Sequence, residues 1–332
     1  MNQFIPCGLV PRLAVTVVLV LVAARCGGGG PTTPPPPIPT LTIACPTAEP
    51  VQSTDNNPRV VTFGTAVATG GVGPLTTTCS AASGAEFPVG TTTVTCTAVD
   101  ARGVSALCTF PVVVRPPPRL TGTRFLAFGD SITWGVDSPP IPAAAPSFAY
   151  PEQLQQRLAA RYRLQTPQVI NVGEPGEQAQ DGGIRRFRSV LLQHRPDIVI
   201  LMEGTNDLLS LEVGIERGIE ALRDMIREAK GQNVRVLLST IIPQRMNGFR
   251  VPNRNPFAVL VPPFNDRVRA LAASENVPLV DMFQVFAADM SLLGIDDVHP
   301  TVRGFQVMAD TFFEAIRANF EQQVAAGVGG LP

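Results

Sequence analysis

A short apolar segment of the chain ends at a hydroxyl group. Phe125-Leu126-Ala127-Phe128 is followed directly by Gly129-Asp130-Ser131. A buried strand that stops at such residues delivers the hydroxyl to the carboxyl-terminal edge of a sheet. Ser131 is therefore a candidate nucleophile. Asp-Ser pairs are also common at turns and helix N-caps, so these residues alone leave both interpretations open.

A histidine near the other end of the chain follows a carboxylate by three residues, in Asp296-Asp297-Val298-His299-Pro300. A serine hydroxyl attacks only when a base takes its proton, and a histidine base needs a carboxylate to fix its tautomer. One turn can present both Asp296 and His299, although Asp297 offers the imidazole a second partner. The other histidine, His194, is interpreted as a helix-end or surface residue.

Two further predicted strands also end in polar groups. The strand 168–173 ends in Asn171-Val172-Gly173-Glu174-Pro175-Gly176, and the strand 197–202 leads into Glu203-Gly204-Thr205-Asn206-Asp207. Each segment alone is typical of a turn. Because the carboxyl ends of parallel strands meet at one edge of a sheet, three such ends together predict a binding or catalytic site.

Strands alternate with amphipathic helices from Arg124 onward, which predicts a layered α/β domain with a parallel sheet. The later predicted strands and helices are strands 234–242 and 279–283 and helices 150–162, 215–226, 265–273 and 305–316. A long loop is expected from Pro243 to about Pro263. No phosphate loop or Gly-x-Gly-x-x-Gly motif opens a helix, so the sequence indicates no nucleotide cofactor.

The four polar blocks, in this order, resemble the SGNH (GDSL-type) hydrolase family of esterases, lipases and carbohydrate deacetylases over residues 121–320. The resemblance implies a three-layer, flavodoxin-like fold that uses no metal and no cofactor. It implies that Ser131 is the nucleophile, His299 the base and Asp296 its orienting carboxylate. It further implies an oxyanion hole formed by the backbone N–H groups of Ser131 and Gly173 and the side-chain amide of Asn206.

The sequence departs from that family in one place. Glu174-Pro175 follows the glycine of the second block, where smaller residues are usual. This departure falls in the loop that the resemblance assigns to the oxyanion hole.

Residues 41–114 have a different pattern, with short β-branched runs separated by turns that contain glycine and proline. This pattern predicts a small antiparallel sandwich. The phrase from Phe87 to Gly103, with Cys108 after it, resembles the hyalin-repeat (HYR) module, an immunoglobulin-like fold. The resemblance implies a role in adhesion or spacing, with contact to a cell surface or polysaccharide.

Four of the six cysteines fall within this β-rich segment: Cys45, Cys79, Cys96 and Cys108. In an exported module they predict two disulfides, and three pairings remain open. Zinc is the alternative, but the C-x-x-C pairs that favour it are absent.

The N-terminus resembles an export signal, with an apolar run from Leu13 to Ala24 that is too short to span a bilayer. Cys26 followed by Gly27 to Gly30 resembles the lipid-modified cysteine of a bacterial lipoprotein, although Arg25 stands where that signal has a small residue. Membrane tethering through Cys26 and ordinary secretion both remain open, and both predict an exported, periplasmic or cell-surface protein.

These patterns predict a sequence of domains along the chain. They are a leader at 1–26, a Gly/Pro-rich tether at 27–40, a β-sandwich at 41–115, a proline linker at 116–120, a hydrolase domain at 121–322 and a tail at 323–332. The formal net charge is −1, so no basic field is present and nucleic acid is excluded as an expected partner.

The leading hypothesis is an exported serine esterase that acts on a small ester or an acylated saccharide. A lipase or lysophospholipase of the same family is the alternative, and a non-catalytic adhesion or carbohydrate-binding protein is the hypothesis from another class. Trp134, Phe249, Phe257 and Phe264 are candidates for an acyl pocket or for the core. Arg245, Arg250 and Arg254 are candidates for contact with an anionic substrate or with solvent.

Overall fold

The structure is a computed structural model that describes residues 37–136, 146–247 and 255–322. The predicted leader, Cys26 and most of the Gly/Pro-rich tether lie outside the described residues. So do Phe249, Arg250, Arg254 and the predicted tail at 323–332.

Eight strands form the N-terminal part of the described chain. They are β1 (Thr42–Ala44), β2 (Val51–Gln52), β3 (Arg59–Val60), β4 (Val67–Thr69), β5 (Thr76–Cys79), β6 (Glu86–Phe87), β7 (Gly90–Val99) and β8 (Ser105–Arg115). β2, β8, β7 and β5 form one sheet in that order, while β1 pairs with β4 and β3 with β6. All these pairs are antiparallel except β2 with β8. The prediction of a small β-rich module is confirmed.

The long hairpin of β7 and β8 carries most of this module's core. Alternate residues of β7 are buried, among them Val94 and Cys96, and they pack with Phe110 and Val112 of β8. Of the three cysteine pairings left open by the sequence, the structure has Cys45–Cys108 and Cys79–Cys96.

The described residues of the second part of the chain contain five parallel strands. They are β9 (Arg124–Gly129), β10 (Gln168–Asn171), β11 (Ile198–Met202), β12 (Arg235–Ser239) and β13 (Leu279–Val280). Their order in the sheet is β10-β9-β11-β12-β13, which is the flavodoxin-like order 2-1-3-4-5. The predicted α/β fold is confirmed, and its topological switch point lies between β9 and β11, where ligands bind in such sheets.

Among the described residues, seven helices accompany this sheet. They are α1 (Ser131–Trp134), α2 (Tyr150–Arg161), α3 (Ile184–His194), α4 (Leu211–Gly231), α5 (Val261–Ser274), α6 (Met282–Ala288) and α7 (Val302–Phe320). Short single turns also occur at Pro146–Phe148, Ala179–Gly183, Asp207–Ser210 and Met290–Leu292.

Each face of the parallel sheet packs on its own layer of helices. Phe125 and Ala127 of β9 pack on the layer that contains α2 and α7, whereas Leu126 and Phe128 pack on the layer of α3, α4 and α5. Successive strand residues point to opposite faces, so a strand buried on both sides is apolar throughout. β11 shows this directly, since all five of its residues are buried.

The structure corrects several predicted boundaries, and two of the corrections have a clear local cause. The strand expected at 279–283 ends at Val280, because Asp281 accepts a hydrogen bond from the backbone N–H of Gln284 and so caps α6. The helix expected at 265–273 begins earlier, at Val261, and prolines occupy its first turn. Proline is tolerated there because the first backbone N–H groups of a helix have no partner within it.

Among the described residues, none of the helices is both long enough and apolar enough to cross a membrane.

Candidate active site

Ser131 is the first residue of α1, immediately beyond the carboxyl end of β9. Asp130, not Ser131, is the N-cap, and its side chain accepts a hydrogen bond from the N–H of Ile132 at 2.9 Å. The N-cap interpretation of Ser131 is therefore wrong, because its neighbour Asp130 caps α1. The Ser131 hydroxyl oxygen lies 2.8 Å from Nε2 of His299.

His299 is held by the carboxylate of Asp296. Nδ1 of the ring lies 2.6 Å from Asp296 Oδ2. Burial raises the pKa of Asp296, but hydrogen bonds from the ring and backbone of His299 outweigh burial and lower it to about 2. An ionised carboxylate only accepts hydrogen bonds, so Nδ1 carries the proton and the Nε2 of a neutral ring accepts one from Ser131.

Gly173 lies just beyond β10 and touches the backbone of α1. A Cβ atom at this position would come within 2.2 Å of the backbone nitrogen of Trp134, so only glycine fits. The Gly173 N–H donates to the side-chain oxygen of Asn171 at 3.0 Å. Asn171 in turn donates to the carbonyl of Trp134 at 3.3 Å. The glycine is thus fixed against the end of α1, with its N–H donated to Asn171.

Asn206 lies in the loop after β11, and its side chain is anchored at one of its two amide protons. Nδ2 donates to the backbone carbonyl of Glu177 at 2.8 Å. The backbone carbonyl of Asn206 accepts from Gln178 Nε2 at 3.1 Å. A side-chain amide nitrogen carries two protons, so this anchoring uses one and the other remains for a further acceptor.

Four carboxyl groups are buried behind these residues, at Asp130, Glu177, Glu203 and Asp207. Glu177 receives two hydrogen bonds from Nε of Arg186, at 2.7 and 2.9 Å. Burial raises the pKa of Asp207 to about 6, even though the backbone N–H groups of residues 179 and 180 donate to it.

Glu203 is fully buried, with 0% of its surface exposed. Burial, followed by the charges of Asp130, Glu177 and Asp207, raises the pKa of Glu203 well above its ordinary value. Burial likewise raises the pKa of Asp130. The sequence had shown Glu203 only as a polar strand end, and its protonation depends on neighbours that the fold supplies.

A cavity of about 150 Å³ adjoins the site. Its lining is rich in amide and carboxyl side chains and includes Asn206, Gln244, Asn255 and Asp296. Of the aromatic candidates, Phe257 lines this cavity. Phe264 is fully buried in the core, and Trp134 is 41% exposed.

Three functional candidates were missed or misread from sequence. Glu177 and Arg186 form an ion pair beneath the loop that anchors Asn206. Arg245 does not reach out to solvent but bonds to the loop that carries His299. The sequence shows only that Arg245 lies in a loop that contains proline and arginine. A loop position does not indicate which group an arginine binds.

Within the described ranges, no group of three or more His, Cys, Asp or Glu side chains is arranged to hold a metal ion.

Family comparisons agree with this architecture. The model of the GDSL-like lipase/acylhydrolase family matches residues 127–307, and the model of the HYR domain matches residues 32–114. The chain therefore belongs to the GDSL-like lipase/acylhydrolase family, and its α/β domain is an ester-bond hydrolase. None of the curated proteins matches the chain.

The α/β domain is similar in fold to the first of the solved structures that follow. The lipase/acylhydrolase from Enterococcus faecalis is 24% identical, with a TM-score of 0.50, and the match covers 61% of this chain and 100% of that one. A catalytic mutant of an acetylxylan esterase from Geobacillus stearothermophilus is 23% identical over 60% of this chain and 95% of that one, with a TM-score of 0.49. An alpha/beta hydrolase from the metagenome of Lake Arreo is 24% identical over 60% and 96%, also with a TM-score of 0.49.

Proposed function

We propose that this protein is an exported serine esterase that cleaves carboxylic esters through Ser131, His299 and Asp296. The single observation that carries the proposal is the unbroken chain of hydrogen bonds from Ser131 Oγ to His299 Nε2 at 2.8 Å and from His299 Nδ1 to Asp296 Oδ2 at 2.6 Å. These residues come from opposite ends of a domain, and packing alone does not require such a chain.

The reaction proceeds by acyl transfer. His299 takes the hydroxyl proton as Ser131 attacks the ester carbonyl, and it then gives that proton to the departing alcohol. The resulting acyl-enzyme is hydrolysed by a water molecule that His299 deprotonates. Asp296 keeps the imidazole in the required tautomer and stabilises the imidazolium that forms in each half of the reaction.

The negative oxygen of the tetrahedral intermediate needs hydrogen-bond donors that are already in place. We assign this role to the backbone N–H groups of Ser131 and Gly173 and to the second amide proton of Asn206. The contact of Asn206 with the Glu177 carbonyl supports the assignment, since it fixes the amide before a substrate arrives. Gly173 would share its N–H between Asn171 and the oxyanion.

The cavity beside the site supports a small ester or an acylated saccharide as the substrate. A volume of about 150 Å³ suits a short acyl group. Its amide and carboxyl lining can hydrogen-bond to hydroxyl groups of a polar alcohol.

A lipase activity is the second candidate, and a different observation favours it. Large apolar side chains are exposed close in sequence to the proposed catalytic residues, namely Trp134, Leu209, Ile295 and Val302. Exposed apolar side chains of this kind suit contact with a longer acyl chain. A series of p-nitrophenyl esters from acetate to palmitate, compared by kcat/KM, distinguishes the two candidates.

Export is supported by the disulfides Cys45–Cys108 and Cys79–Cys96, which form and persist in oxidising compartments. We propose that the β-rich module spaces the esterase from a cell surface or contacts a polysaccharide. A lipid attached to Cys26 would supply the anchor. The substitution Cys26→Ser tests that anchor. If the lipid holds the protein, the variant should be released from the membrane of the expressing cell.

The function is tested by Ser131→Ala with p-nitrophenyl acetate and a fluorophosphonate probe. We expect hydrolysis to fall by about 10⁴-fold or more and labelling to disappear, because no other group supplies the covalent step. The matched control is Ser189→Ala, which removes a serine on α3 whose hydroxyl bonds only to the Arg186 carbonyl among the described residues. Turnover by Ser131→Ala close to that of the control would disprove the proposal.

A further inference from the structure

Arg245 lies in the segment after β12 and spans a neighbouring loop with its guanidinium group. It donates to the backbone carbonyls of Met290 at 2.8 Å, Leu293 at 2.9 Å and Gly294. It also donates to Asp297 Oδ1 at 3.3 Å. The hypothesis that Arg245 meets an anionic substrate is therefore replaced by an internal role.

The loop that Arg245 spans is the one that carries Asp296 and His299. This loop, residues 290–299, begins with the turn Met290–Leu292 and ends just before α7. The N–H of Gly294 closes it by donating to the His299 carbonyl at 2.9 Å. Asp297 adopts a positive φ of 69°, which costs energy for a residue other than glycine. A loop with this shape depends on contacts from outside to stay in place.

Arg245 is itself held from behind by Asn255, which is 3% exposed. Asn255 Nδ2 donates to the Arg245 carbonyl at 3.3 Å and to Gln244 Oε1 at 3.1 Å. The Asn255 N–H donates to the carbonyl of Met246 at 2.7 Å. The guanidinium therefore extends from a backbone that is already fixed on both sides.

We propose that Arg245 is a positioning residue that holds the loop 290–299 so that His299 stays within hydrogen-bond reach of Ser131. The inference rests on the function proposed above and adds a residue that touches no reacting atom. Arginine suits the role because its planar group presents five donors in a fixed fork. A lysine ammonium presents its three donors from one nitrogen and lacks this fork.

Loss of the guanidinium would leave several partly buried carbonyls without their donor and release the loop. A misplacement of about 1 Å in a catalytic group costs up to about 10²-fold in rate. We therefore expect Arg245→Met to lower kcat by about 10- to 100-fold with KM nearly unchanged. Arg245→Lys should lie close to the methionine variant, since it keeps the charge but not the fork.

Arg269 provides a matched control. Its side chain is 28% exposed, the same as that of Arg245, and it also binds a carboxylate, donating to Asp281 at 2.8 and 3.1 Å. Among the described residues, none of its hydrogen bonds reaches the loop 290–299. Arg269→Met should lose stability to a similar extent while keeping kcat. A similar loss of kcat in both variants would overturn the positioning role.

A spectroscopic readout separates positioning from general structural damage. The chain has two histidines, so in a His194→Gln background the Nδ1 proton signal in a ¹⁵N-histidine NMR spectrum belongs to His299 alone. We expect this signal to broaden or disappear in Arg245→Met and to persist in Arg269→Met. A signal unchanged by Arg245→Met, with wild-type kcat, would overturn the inference.

The outcomes also separate this inference from the proposed function. If Ser131→Ala is inactive and Arg245→Met retains wild-type kcat, only the positioning role is wrong. If Ser131→Ala remains active, the triad is wrong, and the positioning role falls with it. Should the methionine variant fail to fold, Arg245→Lys decides, because wild-type kcat in the folded lysine variant contradicts the requirement for a guanidinium fork.

Discussion

Asp296 makes two hydrogen bonds with His299. Its Oδ2 lies 2.6 Å from the ring Nδ1, and its Oδ1 accepts the backbone N–H of the same histidine at 3.0 Å. The adjacent Asp297 instead faces Arg245. The two neighbouring carboxylates thus have different partners. Asp296 binds the imidazole of His299, and Asp297 binds the Arg245 guanidinium that holds the loop.

This division predicts unequal effects of two conservative substitutions. Asp296→Asn should lower kcat/KM by up to about 10⁴-fold, because an amide can fix the wrong tautomer of His299. Asp297→Asn should cost less than about 10-fold, because an amide oxygen can still accept from Arg245. The two variants are compared at one alkaline pH after circular dichroism shows that both are folded. A larger loss from Asp297→Asn would transfer the orienting role to that residue.

Asn206→Ala should lower kcat by about 10²- to 10³-fold with little change in KM, as expected for a donor that matters mainly in the transition state. Asn319→Ala serves as the control, since Asn319 lies on α7 and donates to the Ala315 carbonyl. Steady-state kinetics on a short ester give both constants. An increase in KM at constant kcat would make Asn206 a substrate-binding residue instead.

The buried acid Glu203 predicts a dependence of stability on pH. Because its pKa is raised in the folded state, the folded protein holds a proton that the unfolded chain releases above about pH 4.5. Stability is therefore lost as the pH rises from that value through the folded-state pKa. Glu203→Gln removes this penalty, because an amide does not ionise.

We expect Glu203→Gln to raise Tm by about 2–4 °C at pH 8, the shift that about 1 kcal/mol produces in a domain of this size, and to leave Tm unchanged at pH 4. Glu220→Gln on the exposed face of α4 is the control and should have no effect at either pH. Equal Tm values for wild type and Glu203→Gln at pH 8 would show that Glu203 carries no such penalty.

The α/β domain should fold and hydrolyse soluble esters without the β-rich module. Residues from Arg119 onward belong to it, since the Arg119 carbonyl accepts from the N–H of Gln322 at 2.7 Å and the Thr121 N–H donates to the Phe320 carbonyl at 2.9 Å. A shortened chain that begins at Arg119 should therefore keep wild-type kcat/KM toward p-nitrophenyl acetate.

A chain that begins at Thr123 is the matched comparison. It lacks the buried Leu120 and the hydrogen bonds to α7, so its Tm should be several degrees lower. Loss of activity in a folded chain that begins at Arg119 would show that the β-rich module completes the site.

The sequence by itself determined the fold class, the family and the edge of the sheet where the site lies. Apolar runs such as Phe125 to Phe128 and the helical spacing of Ile215, Ile219 and Leu222 reflect local geometry, which depends on residues close in the chain. The polar ends of β9, β10 and β11 could be placed together because parallel strands bring their carboxyl ends to one edge. The end of β13 could not be predicted in this way, because a capping contact from Asp281 decides it.

Tertiary structure alone decided which side chains meet. Ser131 and His299 are 168 residues apart, and their 2.8 Å contact depends on how α7 and its preceding loop pack against the sheet. The same is true of the Cys45–Cys108 and Cys79–Cys96 pairing, of Arg245 and of Glu203. Periodicity shows which face a residue occupies, but the partner of a guanidinium and the burial of a carboxylate are set by distant segments. The interaction energies of these buried polar groups arise only once packing has excluded water and fixed the groups in place.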